Sequence, residues 1–451
     1  MTGPAGATGA AVLTPDASIV RLFCELVSIP SPSGRELALA REIEGWLATH
    51  GVGAQRDRAG EVNESDAGNL IATVTGTPGA PTLLFVAHMD TVESGNPAVS
   101  PQVGEDGVIR SDGETILGAD NKAAVAAVMR LCARAARGDA GGTGGDGAGD
   151  DGAGDDGAGG GSAGGGRATS TGTRPTIVAA FTCREESGPM GVALLDQKLL
   201  AVVDCAFCVD GARPIGTVIT RALGQSSFGF AVRGRAAHAA ANPEAGVNAI
   251  RVAAEIVAAL ELGRLPGGGS TSVAAIAGGG VIDRLGPATQ PGLGTAQDAS
   301  GETAVRAALA ATATNSIPDL ALVRGEVRAF TRDDLEAAMA AIEATGARIC
   351  QAHGAGWEWA RDPGRVVPPF PEIPGSRALA LVRDAVARVD GIELACEQRH
   401  ATLEANHLAG HVDVVAVASG GRDPHQRSES IPVVELERLE ALLAAIVQAA
   451  A

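Results

Sequence analysis

The chain has 451 residues, 45% hydrophobic but only 2% aromatic and without tyrosine, so it holds enough apolar content for two domains whose cores rest on small aliphatic side chains. Asp+Glu 53 against Lys+Arg 35 leaves a formal net charge of −18, which argues against nucleic acid or an anionic membrane surface as a partner. No apolar run reaches membrane-spanning length, the opening MTGPAGATGAAVLTPDAS lacks the basic and apolar regions of a secretory signal, and 7 cysteines at irregular spacing read as reduced buried thiols, so the cytoplasm is the expected compartment.

Asp16 to His50 reads as two helices broken around Ile29–Gly34, with Ser33 as the expected cap of the second, Arg35 to Thr49. Asn69 to Thr75 and Thr82 to Ala87 are predicted strands, and Gly118 to Arg137 a loop running into an Ala-rich helix. Residues 138–166 contain only a Gly/Asp/Ala-rich repeat that cannot bury an apolar face and read as a flexible insertion without calcium-binding spacing. Strands resume at Thr176 to Thr182 and at Cys205 to Val209, where Cys205-Ala206-Phe207-Cys208 reads as core rather than as a reactive C-x-x-C.

From Arg221 the pattern becomes strand (Ser226 to Val232), helix (Gly246 to Leu262), strand (Thr271 to Ala277) and a Gly/Pro-rich insertion over about 278–314. A strand (Leu320 to Phe330), a helix (Leu335 to His353) and a short strand (Trp357 to Ala360) follow. The chain then returns to helix (Arg377 to Val389), strand (Val412 to Ala418) and helix (Val434 to Ala449). The expected architecture is α/β: a large domain of residues 12–220 and 364–451 with a mostly parallel central sheet, interrupted by a smaller α+β domain, 221–363, of four strands and two helices.

The chemistry gathers at strand and loop ends of the large domain. His88 and Asp90, two apart, close the buried run LLFVA and point the same way. Asp120 stands between a glycine turn and a helix start in GADNKAA, Glu185 and Glu186 follow the strand TIVAAFT, Asp210 follows CAFCV, and His425 lies in GGRDPHQRSE. Each alone has an ordinary reading as a cap, a solvated pair, a turn or a loop histidine. Together, imidazoles with carboxylates at the carboxyl side of one sheet suit zinc, and one bridging carboxylate suits two ions. Adjacent glutamates can divide the work, one ligating metal and one acting as general base.

The motifs HMDTV, GADNKAA, REESG, VDGA, AAHAAANPEAGVNA and DPHQRSE, in this order, resemble the M20 family of di-zinc metallopeptidases, nearest its peptidase-T-like branch. The resemblance implies two Zn2+ per chain, with Co2+ or Mn2+ as alternatives. His88 and Asp210 would hold one ion, Glu186 and His425 the other, and Asp120 would bridge them. It further implies Glu185 as general base, Asp90 as the group orienting His88, and a cis Asp120–Asn121 peptide bond. The inserted domain would be a lid through which two copies pair. From that lid His238 would polarise the substrate carbonyl in the neighbouring subunit's site, and Asn315 and Arg328 would bind the substrate backbone or carboxylate. The resemblance departs at His400–Asn406, where relatives carry Gly-Gly-Gly-Ser-Asp-Ala-Asn and this chain has His-Ala-Thr-Leu-Glu-Ala-Asn.

The expected activity is metal-dependent cleavage of amide bonds in short peptides, of the aminopeptidase or tripeptidase kind. An M20-type deacylase acting on N-acyl amino acids is the alternative. A non-catalytic scaffold of the same fold gives no reason to keep Glu185 beside a full ligand set.

Overall fold

The computed structural model describes residues 13–92, 98–138, 173–188, 191–285 and 306–451. The first insertion, past Gly138, and most of the second lie outside the described residues. The described flanks of the second are helical at Gly280–Leu285 and 306–310. The residues divide into two compact units: up to Ile219 with Ile373–Glu397 and Leu408–Ala451, and Thr220–Glu372 with Gln398–His407. Residues 398–407, placed with the large domain on the sequence, group with the smaller unit because Asn406 Nδ2 donates to the carbonyls of Leu223 at 2.9 Å and Pro368 at 2.8 Å.

An eight-stranded sheet runs in the order Ala54–Arg56, Leu70–Val74, Thr176–Thr182, Thr82–His88, Cys205–Val209, Asp413–Val417, Thr217–Ala222, Ala395–Arg399. The four strands from Thr176–Thr182 to Asp413–Val417 are parallel, and antiparallel pairs flank them on both sides. The sheet is therefore mixed, with the parallel strands of the expected α/β fold at its centre and antiparallel strands at its flanks. Its central strands are continuous apolar runs because both faces are covered. Phe85 and Phe207 stack across neighbouring strands with ring centroids 5.2 Å apart. Cys205 and Cys208 are buried on one strand three residues apart, so their side chains leave opposite faces of the sheet and cannot act as a pair.

The helix Ala119–Arg137 is buried almost all round, with Ala123, Ala124, Ala126, Ala127 and Ala133 among its enclosed residues. Small side chains let this helix lie close to the sheet, and each enclosed aliphatic or aromatic side chain around it contributes about 1.5–3 kcal/mol of burial. Leu37–Thr49 forms the second helix, but Ser33 does not cap it: the N-cap is Glu36, without a side-chain cap, and Asp66 Oδ1 accepts the Leu37 N–H at 2.9 Å.

The smaller unit contains a five-stranded antiparallel sheet ordered Gly263–Arg264, Ser270–Gly278, Leu320–Ala329, Gly224–Arg233, Gly356–Val367, with the helices Ala249–Ala259 and Arg332–His353. The four long strands and two helices are those read from the sequence; the fifth is a two-residue addition at the edge. Leu320–Ala329 alternates buried and half-buried positions as a strand with one covered face does. Among the described residues no helix is long and apolar enough to cross a membrane.

Candidate metal centre

The centre lies in the larger unit, at the carboxyl ends of the parallel strands, where open α/β sheets place their ligands. His88 is the last residue of its strand and is buried. Its Nδ1 lies 3.0 Å from the backbone carbonyl of Asp90, which fixes the proton on Nδ1 and turns Nε2 toward Asp120 Oδ1, 3.2 Å away. The Asp90 carboxylate stands 3.5 Å from the same Nδ1. Its main partners are elsewhere: Oδ1 accepts the Glu185 backbone N–H at 2.9 Å, and Oδ2 accepts the Glu186 N–H at 3.0 Å and the Ser33 hydroxyl. Asp90 thus orients His88 mostly through its main chain and the Glu185–Glu186 loop through its side chain.

Asp120 faces two imidazoles with its two oxygens, Oδ1 toward His88 and Oδ2 toward His425 Nε2 at 3.6 Å. His425 Nε2 is also 3.1 Å from Glu186 Oε1. Ligand atoms of His88, Asp120 and Glu186 all lie within 4.8 Å of one another. Asp210 follows the strand Cys205–Val209; Val86 pairs with Cys208 in parallel register, so two residues on His88 and Asp210 stand level. Asn121 Nδ2 donates to the Val209 carbonyl at 2.7 Å, which brings the start of the Asp120 helix to the same strand end. The Asp120–Asn121 peptide bond is cis.

Backbone conformation concentrates here. Gly118, with φ +79°, turns the chain into the Asp120 helix, where an L side chain is strained. Arg184 (φ 55°), Asp423 (φ 51°) and His425 (φ 65°) take the left-handed region without being glycine, and such residues persist where surrounding contacts over-determine them.

The electrostatics are those of a cluster built around positive charge. Burial works against a charged His88, but hydrogen bonds to Asp120 and Asp90 and the charge of Glu185 hold its pKa well above the ordinary imidazole value. The nearby carboxylates of Asp120 and Glu186 carry His425 to about 10. Burial pushes Glu186 up despite His425, and holds Asp120 up too, although His425 and His88 outweigh it and leave Asp120 well below its usual range. Glu186 Oε1 is buried without a hydrogen bond of adequate geometry. An orphaned carboxylate oxygen among two imidazoles and a second carboxylate is a donor set that fits a divalent cation, and zinc suits the mixture of imidazole and carboxylate.

Two acidic residues of the site escape a sequence reading. Glu429 is buried, accepts the Gly118 N–H at 2.6 Å and the Asp120 N–H at 2.9 Å, and is raised to about 7 by burial. Glu36 accepts the N–H of Arg184, the residue before Glu185, at 3.0 Å. In sequence Glu429 closes the motif DPHQRSE with no assigned role and Glu36 is an acid at a helix start, and neither pattern marks a buried carboxylate.

The three remaining expected residues lie in the smaller unit. His238 is exposed and pairs with Ser316 in a two-residue ladder, and the Ala239 N–H donates to the Asn315 carbonyl at 2.9 Å, so His238 and Asn315 are neighbours. His238 Nδ1 accepts the N–H groups of Ala240 at 3.2 Å and Ala241 at 3.1 Å, which leaves the proton of a neutral ring on Nε2. Arg328 lies on another strand, paired with Ser270 and Gln225, and its Nε donates to Glu326 Oε1 at 2.7 Å.

Residues 222–350 match the family model of the M20 peptidase dimerisation domain. Bacillus subtilis YqjE is 26% identical over 430 residues, spanning 95% of this chain and 97% of that protein. Among solved structures, aminopeptidase PepT from Bacillus cereus is similar with a TM-score of 0.75 at 25% identity, over 96% of this chain and 98% of that one. A tripeptidase from Staphylococcus aureus shares the fold with a TM-score of 0.74 at 21% identity, over 96% and 97% of the two chains.

Proposed function

We propose, from the premise that this chain is a metallopeptidase with the M20 fold and the M20 dimerisation domain, that it removes residues from short peptides at a two-metal centre. The observation that carries the reading is the Asp120 carboxylate, which presents one oxygen to His88 and the other to His425 as a ligand shared between two ions does. His88 and Asp210 would hold one ion with Asp120, and Glu186 and His425 the second. Bound zinc, or cobalt or manganese in its place, lowers the pKa of water to near neutrality and polarises a carbonyl.

The side chains supply the rest. Glu185 takes the proton of the attacking water and returns it to the leaving amine, a role worth roughly 10²–10⁴ in rate. Asp90 holds the amides of Glu185 and Glu186 so that the two adjacent carboxylates keep separate directions. His238, with its proton on Nε2, donates to the substrate carbonyl oxygen as negative charge develops there. Arg328, steadied by Glu326, and Asn315 bind the substrate carboxylate or backbone.

The dimerisation domain supports a homodimer, and the pairing surface we assign is the edge of the strand Ser270–Gly278. Among the described residues Gly263–Arg264 covers this edge, and only at Ser270 and Thr271, and Ile276 beyond them is 50% exposed. Free cysteines, five of them buried, fit a reducing compartment, which we take to be the cytoplasm. A panel of free tripeptides, dipeptides and N-acyl amino acids with the metal-loaded protein tests the reading. Turnover of free peptides with release of an amino acid is expected; turnover of N-acyl amino acids alone would replace it by a deacylase, and no hydrolysis of either class would overturn it.

A further inference from the structure

The loop carrying Glu185 and Glu186 hangs from two carboxylates rather than one. Asp90 accepts the N–H groups of Glu185 and Glu186, and Glu36 accepts that of Arg184, so three successive amides are each held by a buried acid. Glu36 is 0% exposed, and burying a carboxylate is expensive unless its oxygens are hydrogen-bonded. Here they are: Oε1 accepts Gly34 N–H at 2.7 Å together with Arg184 N–H, and Oε2 accepts the Ser65 hydroxyl at 2.7 Å. The held amide belongs to a non-glycine residue in the left-handed region, the point at which the chain turns off its strand toward the acid pair.

The segment 33–36 reaches this loop twice. Ser33 donates its hydroxyl to Asp90 Oδ2, the oxygen that also accepts the Glu186 amide, while Glu36 takes the Arg184 amide directly. The Arg184 side chain closes the arrangement by donating to the Asn63 carbonyl, and Asn63 in turn accepts the Ser65 N–H at 3.1 Å. A half-buried serine that does not cap its helix, and a fully buried glutamate three residues on, are thus both turned toward one short loop.

We propose that Ser33 and Glu36 are positioning residues for the hydrolytic reaction: they lock the backbone of residues 184–186 and thereby set which way the Glu185 carboxylate points. The inference rests on the reading of Glu185 as general base. Removing the Glu36 carboxylate frees the Arg184 amide, and the loop gains a rotation that blurs the division between base and ligand. Outer groups of this kind typically cost about 10–100-fold when removed.

The test uses the full chain loaded with zinc and compares Glu36→Ala, Glu36→Gln, Ser33→Ala and Glu185→Ala with the parent on a hydrolysed tripeptide. Amide hydrogen exchange is followed in the metal-stripped proteins. Glu36→Ala should lower kcat by about 10–100-fold with KM within about twofold, and should speed exchange at 184–186 while the strand Thr82–His88 keeps its protection. Glu36→Gln keeps an Oε1 acceptor for Arg184 and should recover most of kcat. Ser33→Ala should lower kcat in the same direction by a smaller factor. Parent kcat in Glu36→Ala, or unchanged exchange at 184–186, overturns the proposal; so does a uniform rise in exchange with kcat per folded molecule intact. Should Glu36→Ala fail to fold, Ser33→Ala decides, and an unchanged kcat there overturns it. Turnover surviving in Glu185→Ala means the base assignment itself has failed, whereas an inactive Glu185→Ala beside fully active Ser33 and Glu36 variants refutes the positioning role alone.

Discussion

The backbone N–H of Glu185 donates to Asp90 Oδ1 at 2.9 Å, so the carboxylate two residues beyond His88 is committed to the loop that bears the acid pair. An isosteric Asp90→Asn offers one oxygen where two amides and a hydroxyl need acceptors, and sets its NH2 against a donor. We expect kcat to fall by about 10–100-fold with the fold intact, checked by steady-state kinetics beside circular dichroism. A kcat within twofold of the parent's, a margin of about 0.4 kcal/mol, would show that the loop holds itself.

Glu429 makes a separate prediction about stability. It accepts the amides of Gly118 and Asp120. Glu429→Ala leaves both without their acceptor, each at a cost of about 1–3 kcal/mol, so the melting temperature should drop by several degrees and metal affinity should fall with it. Titration with a zinc-sensitive dye alongside thermal melts measures both, and loss of neither contradicts the role of Glu429 in fixing the Asp120 turn.

Metal loading should release protons. Without metal His425 is held at about 10 by Asp120 and Glu186, and His88 well above its usual value once its carboxylate partners outweigh burial. The His425 ring then carries a second proton at neutral pH, which a bound ion must displace, and the shift at His88 runs in the same direction. The sign follows from raised folded-state values: for His425 the stabilisation is complete below the free imidazole value of 6.5 and is lost as pH rises through about 10. Calorimetric zinc titration in buffers of different ionisation enthalpy should show net proton release near pH 7.5, and the chelated protein should lose stability between pH 7 and 10. Buffer-independent heats would contradict the arrangement.

The dimer reading predicts complementation. His238→Ala and Glu185→Ala chains should each be inactive as homodimers while retaining metal. Mixed after partial denaturation and refolded together, they should regain activity if His238 serves the partner's centre. A mixture as inactive as its components would place His238 in its own subunit's site or outside the reaction.

How much of this was legible depended on where the signal resides. The strands Thr82–His88, Thr176–Thr182, Cys205–Val209 and Asp413–Val417 are covered on both faces and read directly as apolar runs. Ala395–Arg399 is exposed along most of its length and Val108–Arg110 is only three residues long, so neither leaves a hydrophobic period to find. The same holds at the centre. His88, Asp120, Glu186 and His425 stand in short motifs at strand or loop ends and converge in space. Glu36 and Glu429 serve backbone amides 148 and 309 residues away, and a backbone donor has no residue type by which a sequence could announce it. Ser33 read as a cap because its spacing fits one; the structure spends its hydroxyl on Asp90 instead.

The division of labour between the adjacent glutamates is the centre of the account, and one paired measurement reaches it: turnover of a tripeptide and zinc per chain, both determined on Glu185→Ala. Turnover should fall by at least about 10²-fold while zinc stays at the parent stoichiometry of about two. Zinc lost in step with activity would contradict the account, because Glu185 would then be a ligand and the base would have to be sought elsewhere.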